Sequence, residues 1–278
     1  MRLYRVRTTS GVHNAVARDG ELLALDGCPV ADERLEQAAR SIAAGERDAP
    51  SLGALSDADL DAPWEPREIV AIGLNYHDHI RETGMATPTA PLVFAKFPSS
   101  ICGPADDIVY DTSQTNAVDW EVELGVVVNR TMRGVDAADA LDYVLGYTIG
   151  NDVSARDIQM AEGQWVRAKS FDTFCPVGPA LVTADEVPDP QAIGLRTRVN
   201  GETVQDSSTE LMIFGVAEIL AFCSKSFTLE RGDLILTGTP WGCGGFMDPP
   251  RALAGGDLVE TEIEGLGVLR NPVVANGG

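Results

Sequence analysis

Two glutamates stand two residues apart in Val118-Asp119-Trp120-Glu121-Val122-Glu123-Leu124-Gly125-Val126-Val127-Val128. The apolar residues alternate, which predicts a β-strand. Val118, Trp120, Val122, Leu124, Val126 and Val128 would share one face, and Asp119, Glu121 and Glu123 the other. Neighbours on one face of a strand lie about 6–7 Å apart. Two carboxylates that close repel each other and are costly to desolvate. That face is therefore either open to water or covered by a cation. Hard divalent ions such as Mg²⁺ or Mn²⁺ prefer carboxylate oxygens. Asp152 offers a third carboxylate at the end of an apolar run, in Gly150-Asn151-Asp152-Val153-Ser154-Ala155-Arg156-Asp157-Ile158-Gln159. A helix beginning there would put Asp152, Arg156 and Gln159 on one face. Arg156 would then meet a substrate carboxylate, or simply pair with Asp152 or Asp157.

His79 and Glu82 are three apart in a short helical stretch, so they sit side by side. A histidine polarised by a glutamate can act as a general base near neutral pH. The same spacing also describes a solvated surface pair. His77 has no such partner. Lys169 lies in Arg167-Ala168-Lys169-Ser170-Phe171-Asp172-Thr173-Phe174, a setting where lysine is ordinarily solvated. Yet only three of the 21 basic residues are lysines, Lys96, Lys169 and Lys225. A chain that otherwise uses arginine keeps a lysine where a compact charge or a titratable amine is wanted. Thr237-Gly238-Thr239-Pro240 follows the buried run Leu234-Ile235-Leu236. Gly238 and Thr239 can offer N–H and hydroxyl groups to an anionic substrate, or form no more than a tight turn.

The elements that must position these residues are mostly strands. Residues 1–62 read as a small β-rich N-terminal domain with turns at Ser10-Gly11 and Asp19-Gly20. It carries one amphipathic helix, with Leu35, Ala38, Ala39 and Ile42 on a face, and packing or assembly is its expected role. Residues 63–278, which hold the candidate catalytic residues, are expected to form the second domain. There a buried strand runs from Glu68 to Gly73, another from Leu92 to Phe97, and another over residues 141–153. Short strands dominate after residue 176, interrupted by one helix from about Leu211 to Cys223. The expected class is α+β, mainly β, rather than a doubly wound α/β sheet.

Composition bounds the function. The chain has 278 residues, 44% hydrophobic and 23% charged, as soluble globular proteins do. A net charge of −21 argues against nucleic acid or an anionic membrane as partner. No apolar run approaches the roughly 18 to 20 residues that span a bilayer. The start, MRLYRVRTTSGVH, lacks the apolar core of a signal peptide, so a cytoplasmic protein is expected. Five scattered cysteines without a CxxC pair are expected to be free thiols.

Order and spacing say more than any single motif. GLNYHDHIRETG, DWEVELGVVV, GYTIGNDVSARDIQ, AKSFDTFCPVGP, VNGETVQDSSTELMIF, LERGDLILTGTPWG and GGDLVETEIEGLGVLRNPV occur in this sequence. Over about residues 66 to 273 the chain closely resembles the fumarylacetoacetate hydrolase superfamily. The resemblance implies a mixed β-roll catalytic domain, a homodimer, and a Mg²⁺ or Mn²⁺ site held by Glu121, Glu123 and Asp152. It implies an acid–base dyad of His79 and Glu82 on a lid helix, and a lysine, Lys169, that orients or polarises the reacting group. Arg156, Gln159 and Thr239 match substrate-contacting positions. Ala168 stands where many relatives have glycine, and residues 241–251 match no family-wide motif.

The implied substrate is a small 2-oxo acid that chelates the metal through its carboxylate and keto oxygens, with the metal stabilising an enolate. Hydrolysis of a C–C bond in an acylpyruvate-like acid is the first expectation, because attack by water needs a base. A decarboxylase, isomerase or lyase acting on oxaloacetate or a 2-oxo-dienoic acid is the alternative. A non-catalytic ligand-binding protein is the third reading, and the full set of ligands and dyad argues against it.

Overall fold

The computed structural model describes residues 1–55 and 60–277. Alternating apolar residues and tight turns build an N-terminal meander of β1 (Arg2–Thr8), β2 (Gly11–Arg18) and β3 (Glu21–Leu25). Helix α1 (Glu33–Ala43) follows, with the Asp32 side chain accepting from the Arg34 N–H at its start. Two short strands come next, β4 (Ser51–Ala54) and β5 (Leu60–Asp61). The chain then forms β6 (Ile69–Gly73), α2 (His77–Thr83), β7 (Leu92–Lys96), β8 (Ile101–Cys102) and β9 (Ile108–Asp111). Next are β10 (Val118–Asp119), β11 (Val122–Val128), β12 (Val144–Asn151) and β13 (Ser154–Ala155). Two short helices, α3 (Arg156–Glu162) and α4 (Val166–Lys169), lead into β14 (Cys175–Thr183). The last third holds β15 (Gly194–Val199), β16 (Glu202–Ser208), α5 (Val216–Ser226), β17 (Leu234–Leu236), β18 (Leu258–Ile263) and β19 (Gly267–Asn276).

The largest sheet runs β4-β3-β2-β1-β14-β12-β11-β17-β6-β7, with β5 added at β1 and β8 at β14. A second runs β16-β15-β18-β19-β9, and β10 pairs with β13 alone. The meander joins the large sheet where Arg2 and Leu3 pair with Val182 and Leu181. The sheet thus runs across the change of composition near Ala62. This is the mainly-β α+β architecture expected from the pattern of short strands.

The two sheets pack face to face. Val122, Leu124, Val126, Tyr147 and Ile149 meet Leu195, Ile263 and Leu269 in one core cluster. The opposite face of the large sheet, including Val127, Leu145 and Leu181, packs against Ala39 and Ile42 of α1 and against Trp64. Every residue of β11 is buried, so neither face of this strand meets solvent. No helix among the described residues is long and apolar enough to cross a membrane.

Two local expectations are corrected. The run 118–128 is not one strand, because it breaks at Trp120 and Glu121. Side chains take the backbone donors there: Asp119 Oδ1 accepts from Trp120 N–H, and Asn151 Oδ1 from Glu121 N–H. The helix expected from Leu211 begins at Val216 instead. Asn75 holds the preceding segment extended, accepting from the N–H groups of Ile213 and Phe214.

Candidate active site

Strand ends deliver the three carboxylates. β11 and β12 pair antiparallel with Val122 opposite Asn151, so Glu121 and Asp152 flank the same pair. The Asp152 N–H donates to the Glu121 carbonyl at 2.9 Å. Glu123 projects from the same face of the large sheet one pair further on. One carboxylate oxygen from each of Glu121, Glu123 and Asp152 lies within 4.8 Å of the other two. The three residues are 5%, 1% and 0% exposed, so water does not solvate this cluster freely.

Cationic side chains surround it. Lys169 Nζ lies 2.7 Å from Glu121 Oε2 and 2.6 Å from Asp152 Oδ2. Lys96 Nζ lies 2.6 Å from Asp152 Oδ1 and also donates to the Lys169 carbonyl. Arg156 approaches Glu121 Oε1 at 2.6 Å, donates from Nε to Asp119 Oδ2 at 2.7 Å, and donates to Gln159 Oε1 at 2.8 Å. Burial alone would raise the Glu121 carboxyl, but Lys169 and Arg156 override it and hold it down to about 2. Burial likewise opposes the charge on Lys169, and Asp152 and Glu121 push it up to about 12. Glu123 goes the other way. Burial, then Asp152, then Glu121 push its carboxyl well above the ordinary range.

That contrast tests whether a metal fits. Glu123 receives the Gly238 N–H at 2.7 Å, yet its site still disfavours a third negative charge. A cation among the three oxygens would remove the repulsion. An all-oxygen, anionic donor set suits a hard divalent ion. Glu121, Glu123 and Asp152 therefore make a possible acidic metal site.

The dyad residues come from α2. His79 Nδ1 and Glu82 Oε2 are 2.9 Å apart, and Glu82 Oε1 accepts the Gly242 N–H at 2.8 Å. His79 is buried rather than part of a solvated pair. Phe246 packs edge-on against its ring at 5.4 Å and also lies 5.2 Å from the Arg156 guanidinium. His79, the three carboxylates, Arg156, Gln159, Lys169, Thr239 and Phe246 line one cavity, whose remaining walls include Ile72, Leu74, Phe94 and Trp165.

Several placements differ from the sequence reading. Asp152 is not helical, since α3 starts only at Arg156. Arg156 pairs with Asp119 and Glu121, not with Asp152 or Asp157. The Gly238 N–H is taken by Glu123 rather than left free for a substrate oxygen. Lys169 is buried rather than solvated, and His77 is exposed. The five cysteines are free.

Sequence reasoning missed three residues. Lys96 ends β7 and points into the charge cluster, and the scarcity of lysine was its only signal. Asp119 accepts from Arg156 and from the N–H groups of Gly244 and Gly245 at 2.7 and 2.9 Å. Its place beside Glu121 gave no hint of that role. Phe246 sits in the stretch that matched no motif.

Known proteins resemble this chain in sequence and in fold. The family model described as fumarylacetoacetate (FAA) hydrolase C-terminal matches residues 68–274. The oxaloacetate tautomerase fahd2, mitochondrial, of Xenopus laevis is 48% identical over 222 residues, covering 79% of this chain and 69% of the relative. Two solved structures align along nearly the whole chain. The 5-carboxymethyl-2-hydroxymuconate delta-isomerase of Mycobacterium smegmatis is 36% identical, with a TM-score of 0.80 and all of both chains covered. The fumarylacetoacetate hydrolase of Exiguobacterium antarcticum is 38% identical, with a TM-score of 0.84, covering 99% of this chain and 100% of that one. The expectation of a cytoplasmic protein is overturned here, since the frog relative and its rat and human counterparts are named as mitochondrial. With three quarters of its length under the family model, this chain belongs to the fumarylacetoacetate hydrolase family.

Proposed function

We propose that the chain interconverts the keto and enol forms of a small 2-oxo acid, with Mg²⁺ or Mn²⁺ held by Glu121, Glu123 and Asp152. The observation that carries this reading is the buried His79–Glu82 pair, 2.9 Å apart, with His79 on the same cavity wall as the three carboxylates. When bound, the divalent ion supplies Lewis acidity toward neighbouring carboxylate and keto oxygens of the substrate. Arg156 and Gln159, already bonded to each other, present charged and amide donors to a substrate carboxylate. Lys169 spends two of its three donors on Glu121 and Asp152, which leaves one for a substrate oxygen. Glu82 engages Nδ1 of His79 and so leaves Nε2 as the acting nitrogen. His79 takes a proton from the carbon beside the keto group and returns it to the enol oxygen or to that carbon. One C–H bond breaks, one O–H bond forms, and the carbon skeleton is unchanged.

This puts isomerisation ahead of the hydrolysis expected from the sequence. The Xenopus laevis relative, named for oxaloacetate tautomerisation, and the Mycobacterium smegmatis isomerase support that order. Hydrolysis of a C–C bond is the second reading. The same dyad can draw a proton from water, and the Exiguobacterium antarcticum protein carries a hydrolase name.

The test follows oxaloacetate, acylpyruvates and dienoic 2-oxo acids with Mg²⁺, with Mn²⁺ and with EDTA. Proton exchange beside the keto group is read by NMR together with the products. Metal-dependent acceleration of exchange in oxaloacetate, lost in His79→Ala, is the expected result. Cleavage or CO₂ release without accelerated exchange would overturn the proposal.

A further inference from the structure

We propose that His79, Glu82 and Cys243 form a second metal site, selective for a borderline ion such as Zn²⁺, whose occupation stops the reaction. Candidate ligand atoms of these three residues all lie within 4.8 Å of one another. Zinc bonds of about 2.0–2.3 Å place neighbouring tetrahedral ligands roughly 3.3–3.8 Å apart. A shift of about one ångström therefore closes the set. The two flanking elements are already docked, because the Gly242 N–H beside Cys243 donates to Glu82 on α2.

Ligand chemistry separates this site from the carboxylate cluster. Three carboxylates favour Mg²⁺ or Mn²⁺, whereas a nitrogen, an oxygen and a sulfur favour Zn²⁺. The local charges also suit a cation. Glu121, Asp119 and Glu82 act on Cys243, opposed by Arg156, which is itself paired with Asp119 and Glu121. Burial, then Glu121, pushes the Cys243 thiol up, so Cys243 is no nucleophile. A coordinated ion deprotonates such a thiol outright. On binding, bonds form from the ion to sulfur, imidazole nitrogen and carboxylate oxygen. The His79–Glu82 hydrogen bond breaks, the imidazole keeps its one proton on the nitrogen that does not bind the ion, and the thiol proton leaves to solvent.

Loss of turnover on zinc binding rests on the role proposed for His79; the site itself does not. In the Mg²⁺-loaded protein, micromolar Zn²⁺ should abolish turnover, and excess Mg²⁺ should not restore it. Cys243→Ala and Cys243→Ser should keep basal turnover and need at least about tenfold more Zn²⁺. Independently of activity, Co²⁺ added to the Mg²⁺-loaded protein should give a thiolate-to-cobalt absorption band that Cys243→Ala lacks. Equal zinc sensitivity in both variants, rescue by Mg²⁺, or no thiolate band in the native protein would each overturn the site. The cobalt band still decides the matter if keto–enol exchange proves not to be the reaction.

Discussion

Lys96 shows how much of the site depends on a side chain that the cavity never sees. Its ammonium holds Asp152 Oδ1 while Lys169 holds Oδ2, and it also fixes the Lys169 backbone carbonyl. One buried cation thus orients both a candidate metal ligand and the candidate catalytic lysine. Lys96→Met should lower Mn²⁺ affinity by about 10- to 100-fold, measured by calorimetry. The accompanying loss should fall on kcat more than on KM, because Lys169 is displaced with it. Native Mn²⁺ affinity in that variant would remove Lys96 from this role. Glu121, Glu123, His79 and Glu82 were legible beforehand because their spacing of two or three residues sets a shared face. Lys96 was not, because its partner lies 56 positions away and nothing local marks the contact. Lys225, the remaining lysine, is exposed and lies 3.6 Å from exposed Asp136.

Among the elements, the turn at 242–246 does the most for its length. It gives one N–H to Glu82, two to Asp119, and the Phe246 ring to His79 and Arg156. Gly242 has φ 98°, and a Cβ there would stand 2.0 Å from the Val204 carbonyl oxygen. Gly242→Ala must therefore move backbone and pull the N–H off Glu82. The expected cost is about 1–3 kcal/mol of stability. A fall in kcat of up to about 100-fold should accompany it. Thermal unfolding and steady-state rates measure the two separately, and an unchanged kcat would show that this turn does not position the dyad. Alternating apolar residues made β11 readable. The break before it was not readable, because Asn151 and Gln205 supply the side-chain oxygens that accept from Glu121 and Val122. Sequence periodicity does not register acceptors that arrive from 30 and 83 residues away.

Over the whole molecule, a bidentate ion pair ties the N-terminal meander to the remainder. Arg7 on β1 holds both oxygens of Asp106 at 2.7 Å, and Gly103 adds its N–H. Burial alone would raise the Asp106 carboxyl, but Arg7 and Gly103 hold it below the ordinary carboxylate range. A depressed folded value contributes stability above the unfolded pKa of about 3.9 and loses it as pH falls through the folded value. Asp106→Asn should therefore cost stability near neutral pH, with the difference from the native chain vanishing in strong acid. The pair is partly exposed, so solvent screening limits the effect to about 1 kcal/mol. Denaturant titrations at pH 7 and pH 3 measure it, and an equal difference at both would sink the assignment. The strand-rich class was readable from turn residues and alternation. The joining of the meander to the large sheet was not, because Leu3 and Leu181 meet only once the chain has closed on itself.

That join has a consequence for how the chain can be divided. β14 takes β12 on one edge and β1 on the other. A protein begun at residue 68, where the family model starts, would leave Leu181 and Val182 of β14 without their β1 partners, although β8 would still pair at Cys175 and Pro176. Open edges of that kind recruit strands from other molecules. The meander is thus a built-in guard against aggregation for the layer that carries the carboxylates, and a shortened protein would have to replace it before its chemistry could be assayed.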